Sequence, residues 1–202
     1  HTISVTGAYH SQAHGGIAPA MTFPANLKKT GSAGVYFDGT GDYLSFLNNS
    51  PHPFDFGTGD FTIDFWMYVQ SIANYDGIIT FDGPSASADV SLGFKSADNK
   101  LYFFSNAGSA TDVVNSGDAI QLNRWYYVAV VKSSGTTKFY LDGTEKTSST
   151  ASYSLDTYAQ GVKVGRFYCD ADEKYFHGYL DNLRISSSAR TISASPTKIY
   201  GA

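Results

Sequence analysis

Residues 59–70 read GDFTIDFWMYVQ. Side chains along a β-strand point alternately to its two faces. Phe61, Ile63, Phe65, Met67 and Val69 therefore share one face, and Thr62, Asp64, Trp66, Tyr68 and Gln70 the other. The first set reads as the inner side of a packed sheet. The second puts a carboxylate and two large rings where simple alternation calls for solvated polar groups. RWYYVAVV, residues 124–131, repeats the arrangement, with Trp125, Tyr127, Ala129 and Val131 on one side. Rings placed this way line a binding groove, sit under a covering loop, or meet another subunit.

Outward from these two runs, strand signals recur along the chain. They fall at 35–39, 42–48, 60–70, 77–83, 89–95, 100–106, 124–133, 137–143, 162–168 and 176–186. Gly, Asp, Asn and Ser clusters separate them, as hairpin turns require. Helical periodicity is absent apart from one short turn expected near Ala189–Ile192. Residues 8–33 form the least regular stretch, with Gly15-Gly16 and two prolines. No repeat or linker divides the chain, so residues 1–202 read as one all-β domain: an antiparallel sandwich of two sheets packed face to face.

Composition narrows the function classes. The net charge is −4 with no basic block, which argues against nucleic acid as a partner. The longest apolar run, near YYVAVV, is far too short for membrane insertion. The single Cys169 excludes an intrachain disulfide. Sixteen of the 18 acidic residues are Asp, a residue that both caps turns and ligates calcium. The chain starts at His1 with no visible signal peptide and reads as a processed product or an excised domain of a larger protein.

Four stretches taken in order, VYFDGTGDYLSF, FDFGTGDFTIDFWMY, RWYYVAVVKSSGTTKFYLDG and FHGYLDNLRIS, resemble the laminin-G-like domains of the concanavalin A-like jelly-roll superfamily. The resemblance covers roughly residues 34–190. It implies two curved antiparallel sheets, one of them concave and often sugar-binding. It also implies a structural calcium ion tying an early loop to the last strand, with Asp38, Gly41, Asp42 and Asp181 at the matching positions. The residues allow a second reading, in which Asp38 and Asp42 cap a hairpin turn while Asp181 pairs with Arg184 or Arg166. The resembling pattern keeps Trp at positions 66 and 125 whatever the ligand, which implies packing under cover, with Asp64 as a hydrogen-bond partner for a loop.

The superfamily includes glycoside hydrolases with carboxylates on alternate residues of one strand, which retaining chemistry needs about 5–5.5 Å apart. No strand here offers such a pair. Glu145 and Glu173 stand alone, and DADE at 170–173 falls in an expected hairpin loop. QAH at 12–14 matches the spelling of a lyase strand but lies in the irregular segment. The chain therefore reads as a non-catalytic carbohydrate-binding or adhesion module of a secreted, surface or virion-associated protein, with a glycan or polysaccharide partner. The alternatives are an assembly domain of a fibre, spike or matrix protein, with possible homo-oligomers, and a polysaccharide hydrolase or lyase. Rings and polar groups in or beside loops form the expected ligand set: Tyr75, Tyr158, Tyr168, Asp170, Asp172, Tyr175 and His177.

Overall fold

The computed structural model describes residues 29, 34–46, 54–73, 75–81, 90–95, 97–105, 111–156, 161–169 and 172–194, apart from the side chains of Thr111, Tyr168, Cys169, Asp172 and Glu173. Tyr158, Asp170 and the QAH stretch lie outside the described residues. The strands are β1 (Val35–Asp38), β2 (Leu44–Phe46), β3 (Phe61–Val69), β4 (Gly77–Phe81), β5 (Val90–Lys95), β6 (Lys100–Ser105), β7 (Thr111–Asn115), β8 (Trp125–Ser133), β9 (Thr136–Leu141), β10 (Thr144–Ser149), β11 (Val162–Val164), β12 (Arg166–Cys169), β13 (Asp172–Tyr175) and β14 (His177–Ser186).

Two sheets result. The six-stranded sheet runs β1-β14-β3-β8-β9-β10, and the eight-stranded sheet runs β12-β13-β4-β5-β6-β7 with β11 and β2 extending from β4. Between them lies the core. Phe61, Ile63, Phe65, Met67 and Val69 of β3 are fully buried, and they join Val128, Val130, Ile79, Leu92, Phe94, Leu101 and Phe103 in one cluster. Each such side chain contributes about 1.5–3 kcal/mol by leaving water. The expected inner face of GDFTIDFWMYVQ is thus the core face.

The other face of β3 is covered as well. Thr62 and Asp64 are 0% exposed and Trp66 is 5% exposed. The segment after β14 covers them like a strap. The Thr62 hydroxyl donates to the Ser188 carbonyl at 2.8 Å and accepts the Arg190 backbone N–H at 3.0 Å. Ile192 packs against the cluster of Trp66, Tyr127 and Ala129. The helical turn expected near Ala189–Ile192 is absent: these residues take no regular structure and lie against the sheet, where the Arg190 N–H is spent on Thr62 and Ile192 packs on Trp66 and Tyr127. The expectation of cover over Trp66, with Asp64 bonded to that cover, matches this arrangement.

Asp64 holds the strap by charge. Arg184 Nε and Nη2 donate to its two oxygens at 3.2 and 3.1 Å, the Tyr127 hydroxyl donates at 2.7 Å, and Arg190 Nη2 lies 2.6 Å away as an ion pair. Arg184 reaches this position after a bulge between Asp181 and Arg184, at which Asn182 takes a φ of 51°.

Three strands were not expected. TDVVN (β7) and TEKTSS (β10) lie at the ends of the two sheets and carry little apolar alternation. Edge strands tolerate this because a neighbour pairs them on one side only. They meet at Thr147, whose hydroxyl accepts the Asn115 N–H and donates to the Asn115 carbonyl. The third, DEKY (β13), forms a hairpin with β12. VKVGRFY, expected as one strand, breaks at Gly165. Its φ is +88°, and a Cβ there would lie 2.3 Å from the Phe37 ring. Likewise FHGYLDNLRIS begins at a crossover, where the buried Phe176 passes the chain from β13 in one sheet to β14 in the other.

Two predictions follow from this packing. Asp64→Ala leaves two guanidinium groups beside a vacated partner and is expected to cost about 3–5 kcal/mol, measured as a drop in the urea midpoint. Lys132 is 3% exposed at the rim of the core, with Nζ donating to the Tyr153 carbonyl at 3.2 Å. Burial lowers its pKa, and the nearby Asp60 charge only partly offsets this. The folded state then releases the proton first, so stability is highest above the ordinary lysine value and falls as pH drops through the lowered one. Measured against Lys132→Met by denaturation across alkaline pH, the wild type is expected to gain stability as pH rises through that window.

Candidate functional site

The outer face of the eight-stranded sheet carries a continuous strip of rings and charges. It starts at Tyr75, whose φ of 65° is unusual for a bulky residue. Its backbone N–H donates to the Phe94 carbonyl at 2.9 Å, which fixes the turn on β5. The ring stacks on Phe167 at 5.8 Å and 22°. Phe167 in turn meets Phe104 edge-on at 5.5 Å. This is possible because β12 crosses very close to β4 at Gly77, where a Cβ would stand 2.3 Å from the Phe167 nitrogen. Glycine is the one residue that permits the crossing.

Beyond Phe104 the strip becomes polar. Lys95 Nζ lies 5.9 Å from the Phe104 centroid and 4.9 Å from that of Tyr102, and it pairs with Asp112. The Tyr102 hydroxyl donates to Asp98 Oδ2 at 2.5 Å. That bond, with burial behind it, pushes the Tyr102 hydroxyl up to about 12. Burial raises Asp98, but the Tyr102 hydroxyl, the Lys100 backbone N–H and the Lys100 charge outweigh it, and the carboxyl lies below its ordinary value. Tyr75, Lys95 and Tyr102 are partly exposed and Asp112 is exposed, so solvent reaches the strip.

The expected ligand residues divide over this frame. Tyr75 belongs to the strip. Tyr175 stands at the junction of β13 and β4, opposite Gly77 and Arg166. The backbones of Tyr168 and Asp172 lie in the β12–β13 hairpin. His177 belongs to the other sheet, where Nδ1 meets Ser71 Oγ at 2.9 Å and Nε2 meets Tyr36 Oη at 3.3 Å. Its ring thus ties the end of β3 to β1. Phe167, Phe104, Lys95, Asp98 and Asp112 were not singled out from sequence. The nearest signal was KLYFFSN, where two of three adjacent rings had to face outward or inward together with no further cue.

The residues expected to share calcium are also divided. Asp38 Oδ1 accepts the Thr40 N–H at 2.7 Å, and Asp42 Oδ2 accepts the Asp38 N–H at 3.3 Å, so both carboxylates cap the turn after β1. Gly41, with a φ of +83°, completes that turn. Burial raises the Asp42 pKa, and the Asp38 charge adds to it. Asp38 faces His177 across the β1–β14 pair, and Asp181 lies four residues further along β14. At about 3.3 Å per residue this separates them by roughly 13 Å. Asp181 Oδ2 instead accepts the Lys29 backbone N–H at 3.0 Å, while Arg184 engages Asp64. Among the described residues no group of three or more His, Cys, Asp or Glu side chains is placed to hold a metal. The four expected positions do not fit one ion, because the strand register holds them apart.

The comparisons with known proteins agree with the sandwich. The fold matches domain 4 of an extracellular arabinanase from Geobacillus stearothermophilus, solved with arabinotriose, at a TM-score of 0.62 and 19% identity, over 87% of this chain and 79% of that one. It matches mouse laminin α1 domains LG4-5 at 0.58 and 17%, over 84% of this chain and 47% of that one. A Trypanosoma rangeli sialidase matches at 0.57 and 13%, over 79% of this chain but only 26% of the sialidase. The chain thus spans about half of the laminin chain and about a quarter of the sialidase. No curated protein sequence matches. The profile of the Laminin_G_3 family matches residues 38–193. With most of its length matched, in the order of strands described above, the chain belongs to the laminin-G-like branch of the concanavalin A-like lectin/glucanases superfamily.

Proposed function

We propose that this chain is a non-catalytic carbohydrate-binding module of a larger extracellular or surface protein, and that the Tyr75–Tyr102 strip contacts the sugar. The observation carrying this reading is the strip itself. Tyr75 is held in a strained backbone conformation that sets its ring on Phe167, next to a Lys95–Asp112 pair and the Tyr102 hydroxyl. Sugars offer C–H faces to rings and hydroxyls to charged and polar groups, and this strip presents both kinds of partner side by side. The fold-level neighbour bound to arabinotriose supports the same chemistry.

The acids on this face support binding over bond cleavage. Asp112 is paired with Lys95, and Asp98 is bonded to Tyr102. Asp98 lies below its ordinary pKa, the opposite of what a general acid requires. The sialidase likeness covers a small part of that enzyme, so it bears on the fold and not on an activity.

Isothermal titration of the full chain with arabino-, xylo- and cello-oligosaccharides tests the reading. Binding of at least one series is expected. Tyr102→Ala is expected to weaken it about tenfold, a change of about 1.4 kcal/mol. Tyr75→Gly removes the ring yet suits the positive φ, so affinity is expected to fall while the thermal midpoint holds. No heat with any series at millimolar sugar, or full affinity in both variants, overturns the assignment.

A further inference from the structure

One carboxylate, Asp64, receives two arginines that stand in different structural settings. Arg184 belongs to β14 and lies directly opposite Asp64 in the β3–β14 ladder. Its Nε and Nη2 donate to both carboxylate oxygens at 3.2 and 3.1 Å. A two-pronged contact of this kind, on a backbone already fixed by a sheet, goes only when the sheet comes apart. Arg190 belongs to the strap, where its Nη2 lies 2.6 Å from Asp64 Oδ2. Residues 187–194 take no strand or helix structure, so no ladder holds them.

The other attachments of the strap are few. The Thr62 hydroxyl bonds the Ser188 carbonyl and the Arg190 N–H, and Ile192 packs on Trp66 and Tyr127. Within residues 187–194 only Arg190 and Ile192 are half-buried, and the rest are exposed. The face beneath is buried far more deeply: Thr62 and Asp64 completely, Tyr127 and Trp66 nearly so. Trp66, on which Ile192 packs, holds its Nε1 buried with no acceptor among the described residues, so the closed arrangement is not fully satisfied.

Lifting the strap does not strand the charge. Without Arg190, Asp64 keeps both bonds from Arg184 and the Tyr127 hydroxyl at 2.7 Å. The Thr62 hydroxyl exchanges two strap partners for water. A carboxylate compensated by the strap alone would hold it shut at all times, because an unpaired buried charge is costly. The double provision separates the fold, which needs Arg184, from the cover, which needs Arg190. Segments with few buried contacts open locally while the rest of a domain stays folded.

We infer that residues 187–194 form a charge-latched lid. Arg190 is the latch on Asp64, and the strap opens and closes over Thr62, Asp64 and Tyr127 while the sandwich stays intact. Arg184 clamps the fold and takes no part in the motion. The lid works whatever the Tyr75–Tyr102 strip binds.

Hydrogen exchange of the full chain, followed by NMR residue by residue, tests this. The amide of residue 190 reports on the lid because it bonds Thr62 across the junction. Arg190→Met keeps that amide and removes the charge. In the wild type the amide is expected to be protected, yet to exchange about a hundredfold or more faster than those of Ile63 and Val130 after correction for intrinsic rates. Low urea is expected to leave its exchange unchanged, because little surface opens with it. Arg190→Met is expected to speed exchange at residue 190 about tenfold, with Ile63, Val130 and the urea midpoint near wild type. Arg190→Lys is expected to recover part of the protection. Arg184→Met is expected to lower the urea midpoint instead; if it does not fold, the residue-190 readings decide alone. A residue-190 amide that exchanges only together with the core, or that has no protection at all, overturns the inference. So does Arg190→Met if it lowers the midpoint as far as Arg184→Met, or if it leaves exchange at residue 190 unchanged.

Discussion

The charge of Asp64 is the constraint around which the six-stranded sheet is built. It sits on β3 with no exposure to water, where an unpaired carboxylate would cost several kcal/mol. Two arginines and a tyrosine hydroxyl surround it. They come from β8, from β14 and from the strap that follows β14, so satisfying one carboxylate fixes how three parts of the chain cross. The bulge at Asn182 turns Arg184 onto Asp64. Thr62 then engages the strap backbone through its hydroxyl in both directions. Polar groups thereby close a face that apolar burial alone would have left open.

That closure divides the molecule's surfaces. The strap hides Trp66 and Tyr127, while Tyr36, Tyr68 and Trp125 on the same face keep part of their surface in solvent. On the opposite sheet the β12–β13 hairpin plays the comparable part. It lays Phe167 over Gly77 and against Phe104, and leaves Tyr75 and Tyr102 at its margins. In each case the deepest rings hold the covering segment, and the rings beside them keep part of their surface in solvent. The two faces also differ in charge: the strip mixes Lys95 with acids, whereas the Tyr36, Tyr179, Tyr68 and Trp125 rings are neutral.

Much of this was readable in the sequence where period-two alternation is strong. β3 and β8 announce both their core faces and their aromatic outer faces, and the ordered motifs carry the superfamily. β7 and β10 were not readable, because an edge strand needs hydrogen bonds from one neighbour and no alternating apolar face. The candidate site was readable only at Tyr75. Phe104 and Phe167 look like core residues in KLYFFSN and GRFYC, and only the crossing at Gly77 brings them together outside the core.

The sequence by itself determined that this chain forms two packed β-layers, that Phe61 to Val69 line the space between them, and that Asp38 and Asp42 belong to one glycine turn. Those are local properties, set by side-chain alternation and turn chemistry within a few residues. Tertiary structure decided what covers Asp64, where His177 finds its partners, how far Asp181 stands from Asp38, and which rings reach solvent. Each of these depends on strand register and on segments more than a hundred residues apart meeting across a sheet, as Thr62 and Arg190 do, and nothing in the local pattern encodes that meeting.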